Sequence, residues 1–167
     1  MYDEKTKNIV NTILLYLQSI NFDTKILAFA NIESYPDRLS SGISFCHVAE
    51  TSKDDTRYVI LLFPTFEKNM AFIHKTFERL LSQNSPRTEL IHKAMSKDEI
   101  YLFIFVFMHE IGHIQDHIDR GGDDKVFFDP FFGYNSNYNN NLVFEKYADQ
   151  YAKEHLDKIY SQLTDEK

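Results

Sequence analysis

The apolar positions of this chain alternate between stretches at helical spacing and short compact blocks. Ile9, Ile13, Leu14, Leu17 and Ile20 recur at helical spacing and predict an amphipathic helix over about 4–20, with Asp3 as its cap. Ile26 to Ala30 reads as a strand, followed by a turn at Tyr35-Pro36-Asp37. Ile43 to Glu50 and Arg57 to Phe63 flank the polar stretch 51–56 and read as a hairpin. Helical spacing returns after Thr65, where Phe66, Met70, Ile73, Phe77 and Leu80 mark the buried side of a helix to about Leu81. Ser85-Pro86 opens a short helix, with proline at its tolerated first position, ending near Met95.

Ser96 followed by Glu99 has the form of a capping box, and Gly121-Gly122 supplies the next stop signal. The helix predicted between them contains an almost unbroken apolar run from Tyr101 to Met108, as expected of a segment that crosses the core. A last helix is predicted over about Leu142–Tyr160. The order of elements predicts an α+β fold, a small antiparallel or mixed three-stranded sheet packed on helices. With no internal repeat or linker, residues 1–167 read as one domain.

Composition narrows the functions. A hydrophobic content of 43% and an aromatic content of 15% are those of a globular chain with a substantial core. The net charge of −7, from 18 basic and 25 acidic residues, argues against a nucleic-acid partner bound through a basic face. No phosphate-binding loop or dinucleotide fingerprint is present. Cys46 is the sole cysteine, so no internal disulfide forms. The run at 101–108 is far short of the ~20 residues a spanning helix needs. The opening Met1-Tyr2-Asp3-Glu4 lacks the features of a secretory signal. The expectation is a cytoplasmic protein without membrane insertion.

Chemistry concentrates at His109-Glu110-Ile111-Gly112-His113. At 3.6 residues per turn, His109 and His113 project from one helix face about 6 Å apart along the axis. Two imidazole nitrogens so placed can converge on one zinc ion at roughly 2.0–2.1 Å. Glu110 points about a hundred degrees away, poorly placed as a third ligand but well placed to take a proton from water at the metal.

A third protein ligand is needed, and three residues compete for the role. Asp119 stands where a chain turned back by glycine would place a ligand, but Asp116 occupies the position that glycine would need. His117 continues the i, i+4 series but lies too far along an unbroken helix. Glu145, near the start of the last helix, is the better choice. Ala148 permits the close approach required where two helices share an ion. Asp149, one turn after Glu145, can accept a hydrogen bond from a ligand histidine, which fixes its tautomer and raises its basicity.

His-Glu-Ile-Gly-His at 109–113 followed by Glu-Lys-Tyr-Ala-Asp at 145–149 resembles the gluzincin metallopeptidases, most closely the small soluble ImmA/IrrE-like and HtpX-like kinds. The resemblance covers Ser96 to Leu156. It implies a zincin-like fold with a central motif helix and a C-terminal ligand-bearing helix. It also implies Zn2+ held by His109, His113 and Glu145, with Glu110 as catalytic base and Asp149 as outer partner. There is no membrane span of the HtpX kind and no helix-turn-helix accessory domain, and the substrate does not carry over.

The expected activity is zinc-dependent hydrolysis of internal bonds in a peptide or protein substrate. The developing oxyanion needs a further electrophile. Tyr134, Tyr138 and His155 are the leading candidates, with Tyr147 and Tyr151 also conceivable. The segment 121–141 joins the two helices that would share the zinc. Its phenylalanines at 127, 128, 131 and 132 are suited to anchoring one half, and its Asn-rich half is a candidate lid and partner-protein surface. A substrate strand could add to an edge of the sheet. Cys46 reads as a buried structural residue or an inhibitory thiolate, whereas His74 and His92 have no chemical role. The rival reading is a non-catalytic regulatory or protein-binding module with structural or no zinc, although such a module has no need of Glu110. A second rival is a zinc hydrolase acting on a non-peptide amide.

Overall fold

The computed structural model describes residues 1–35, 46–50, 56–82, 87–119 and 138–165. Helix α1 spans Glu4–Ser19 and buries Ile9, Ile13, Tyr16 and Leu17 on one face. Its start is fixed by Asp3, whose Oδ1 accepts the Thr6 N–H at 2.8 Å. The other oxygen of the same carboxylate accepts the Phe66 N–H at 2.7 Å, at the first residue of helix α2 (Phe66–Ser82). One acid therefore satisfies backbone donors that two helix ends would otherwise leave unpaired.

Three short strands follow α1 in sequence: β1 (Leu27–Asn31), β2 (Cys46–Glu50) and β3 (Thr56–Leu62). β3 is central, parallel to β1 with Leu27 opposite Tyr58, and antiparallel to β2 with Cys46 opposite Ile60. Tyr58, Ile60, Leu61 and Leu62 are buried on β3, as expected of an inner strand. β1 begins one residue later than its apolar block suggests, because Thr24–Ile26 form a 3₁₀ turn capped by Asp23.

Three further helices complete the described chain: α3 (Thr88–Met95), α4 (Glu99–Asp119) and α5 (Tyr138–Thr164). Every residue of α4 from Tyr101 to Gly112 is buried, so this helix is the axis of the core. Helix α5 is its most extensive partner and runs antiparallel to it. Tyr101 near the start of α4 donates to Asp157 at 2.9 Å, while Gly112 lies against Ala148. Glycine is required there, since a Cβ at 112 would stand 2.8 Å from the Ala148 Cα and 3.0 Å from its carbonyl oxygen.

These observations correct the expected fold class. The chain is predominantly helical, with five α-helices among the described residues and a sheet whose parallel part is the β1–β3 pair, rather than an α+β zincin-like fold. The physical reason is the apolar girth of α4, which is covered largely by another helix. The capping box is also corrected. Ser96 donates to the Lys93 carbonyl at the end of α3, and Asp98 caps α4 by accepting the Tyr101 N–H at 2.9 Å. Helix α5 starts at Tyr138, before the expected Leu142, and continues to Thr164. No described helix is long and apolar enough to cross a membrane.

Candidate metal centre

The apolar run of α4 carries His109 and Glu110 into the interior, where they are 7% and 8% exposed. Such polar side chains are costly to bury without partners. His109 Nδ1 lies 2.8 Å from Asp149 Oδ1 on α5. With Nδ1–H donated to that carboxylate, Nε2 faces the other way. There it meets His113 Nε2 at 3.0 Å and Glu145 Oε2 at 3.2 Å, while His113 Nε2 lies 3.4 Å from Glu145 Oε1.

One ligand atom from each of His109, His113 and Glu145 falls within 4.8 Å of the others, a group that could hold a metal ion. Ligands at ~2.0–2.1 Å on a tetrahedral ion stand about 3.3–3.4 Å from one another. The two imidazole nitrogens are 3.0 Å apart, and Glu145 turns one oxygen to each of them, Oε2 to His109 at 3.2 Å and Oε1 to His113 at 3.4 Å, so each pairwise contact is near that spacing.

Sequence reasoning missed Arg87. From the residue before α3, its Nε and Nη2 donate to the two oxygens of Asp149, each at 2.7 Å. Its Nη1 reaches Glu145 Oε2 at 2.8 Å. A signal was present: Arg87 occupies the N-cap of α3 without capping it, and a cation is disfavoured beside a helix N-terminus. A charge placed there needs a partner elsewhere in the fold.

The local charges reinforce the fit. With His109 deprotonated, as ion binding requires, Glu110, Glu145 and Asp149 would set three carboxylates against the guanidinium of Arg87, and a divalent cation would close that balance. Burial lowers the His109 pKa, but the Glu145 charge and the hydrogen bonds that the imidazole donates to Asp149 and Glu145 outweigh it and raise the value to about 10. Burial would raise Glu145, yet His109 and His113 hold it well below the ordinary carboxylate range. Asp149 is likewise lowered, because hydrogen bonds from His109 and Arg87 overcome its burial. Glu110 moves the other way, and its pKa is raised by burial.

The remaining candidates lie elsewhere. Asp119 accepts from Gln115 at 2.8 Å and from the Tyr147 hydroxyl at 2.9 Å, outside the cluster. His117 is buried against β3, its Nδ1 2.7 Å from the Tyr58 hydroxyl. His155 is not brought to the cluster. It lies about 15 Å of helical rise beyond Glu145 and pairs with the Tyr16 hydroxyl at 2.8 Å. Tyr151 packs on the His155 ring, with centroids 4.6 Å apart. Tyr134, the side chains of Tyr138, Cys46 and His47, and most of the 121–141 segment lie outside the described residues. Comparison with protein-family models, curated proteins and solved structures gives no match for this chain.

Proposed function

We propose that this chain is a zinc-dependent metallopeptidase of the gluzincin kind, cutting internal bonds of a peptide or protein substrate. One observation carries the reading: the convergence of His109, His113 and Glu145, with Glu110 next in sequence to the first histidine. Two imidazoles and one carboxylate suit zinc, which in catalytic sites takes water as its fourth partner. When bound, zinc makes nearby water more acidic, toward a pKa of ~7, and polarises a carbonyl.

The chain's own residues supply the rest. His109, His113 and Glu145 would hold the ion, and Asp149 would keep the His109 Nε2 turned inward through its Nδ1 contact. Glu110 would accept the proton of the attacking water on its carboxylate and deliver it to the leaving amide nitrogen. Burial supports that double task, because a raised pKa brings its acid and base forms closer together near neutral pH. Tyr134 and Tyr138 are kept as candidate oxyanion donors. A cytoplasmic setting, and a partner protein met through residues 121–141, belong to the same proposal.

The decisive experiment compares wild type with Glu110→Gln for metal content and for cleavage of a peptide library. The expected result is equal zinc in both proteins and cleavage by wild type alone. Wild type that holds no zinc, or identical behaviour of the two proteins on every peptide, would defeat the reading and favour a non-catalytic module.

A further inference from the structure

We propose that Arg87 is a positioning residue for this centre, fixing Glu145 and Asp149 relative to one another before any ion arrives; the inference rests on the metal-site reading above. The guanidinium divides its donors between two acids one helical turn apart on α5. Nε and Nη2 take both oxygens of Asp149 at 2.7 Å, and Nη1 takes Glu145 Oε2 at 2.8 Å. Only 14% of the Arg87 side chain is exposed, so these contacts are poorly screened by solvent.

The geometry has two consequences. First, Glu145 is a flexible, half-buried side chain that would otherwise sample several rotamers. Tying Oε2 to a planar donor removes that freedom and keeps Oε1 near His113 Nε2, 3.4 Å away. Second, Asp149 Oδ1 receives both Arg87 Nη2 and His109 Nδ1, so the residue that sets the His109 orientation is itself held from α3. The segment ahead of α4 thereby controls ligands on both α4 and α5.

A cation at this place also repels an incoming cation, so charge and orientation act in opposite directions on ion binding. Arg87→Lys separates them. Lysine keeps the positive charge but, as a point charge on a flexible stem, cannot bridge the two acids as a planar fork. Arg87→Met removes charge and fork together, and Arg87→Gln keeps one short donor group.

The test measures zinc affinity by competition with a chromophoric chelator at 25 °C, alongside thermal melts in excess EDTA that verify folding of each variant. The inference expects Arg87→Lys to bind zinc about tenfold or more weakly, within the usual range for outer partners of metal ligands, with Arg87→Gln intermediate. A purely structural clamp between α3 and α5 would shift the melts and leave affinity at 25 °C unchanged. Wild-type affinity in Arg87→Lys, or in Arg87→Gln should the lysine variant not fold, overturns the inference. Tighter binding in Arg87→Met with no loss in Arg87→Lys overturns it too, since charge alone would then account for the residue. Failure of wild type to bind zinc overturns the metal-site reading itself, a different result from either of these.

Discussion

Asp149 holds His109 by a 2.8 Å contact to Nδ1, and that contact decides which imidazole nitrogen faces His113 and Glu145. Asp149→Asn keeps the shape but removes the charge that favours an Nδ1–H donor. Metal affinity should fall by about 10–100-fold, read by chelator competition. Wild-type affinity in this variant would remove the proposed role of Asp149.

Glu145 and Asp119 were rival third ligands, and the structure brings only Glu145 to the histidines. Glu145→Ala should therefore abolish tight metal binding, whereas Asp119→Ala should leave it unchanged while releasing the Tyr147 hydroxyl. Calorimetric titration of both variants checks this, and the opposite ranking would relocate the site.

Ion binding should be coupled to proton release. The His109 pKa is raised to about 10 in the ion-free protein, so near neutral pH the imidazole is protonated and an ion must displace that proton. Affinity should rise up to about tenfold per pH unit between pH 7 and 10. About one proton should be released near pH 7.5, measured by calorimetry in buffers of different ionisation heat. In the ion-free protein the same raised pKa stabilises the fold fully below the ordinary histidine value of 6.5. That contribution is lost as pH rises toward about 10. Absence of proton release would show His109 to be neutral before the ion binds.

Gly112→Ala tests the contact between α4 and α5. A helix-interior alanine gains about 1 kcal/mol in propensity over glycine, but its Cβ would stand 2.8 Å from the Ala148 Cα, a backbone atom. Overpacking of that kind costs roughly 1–3 kcal/mol. The net expectation is a lower melting temperature together with weaker metal binding, because separating the helices moves Glu145 away from His109. An unchanged or raised melting temperature would mean that the helices separate freely.

Much of the helical layout was legible because apolar spacing and a capping acid act locally: Asp3 and the Ile9, Ile13, Leu17 stripe suffice for α1. The pairing of His109 with His113 was legible for the same reason, being a property of one helix. The error at Ser96 arose because two competing caps lie two residues apart, and the hydroxyl is used to finish α3. The fold class was misread because strand-like blocks do not reveal how little of the core they cover once an apolar helix such as α4 is packed by α5. His155 shares a helix with Glu145 but stands nearly three turns further on, where Tyr16 of α1 takes its ring nitrogen. Arg87 was missed because its partners lie 58 and 62 positions away in the chain, and the local hint, a cation at the start of α3, does not name them.

The double use of Asp3 has a practical consequence. Its main-chain N–H donates to the Pro64 carbonyl at 2.8 Å, while its two oxygens serve Thr6 and Phe66. A change at this one carboxylate therefore loosens the first two rods of the molecule together. Asp3→Ala should be recognisable by earlier melting of the purified product.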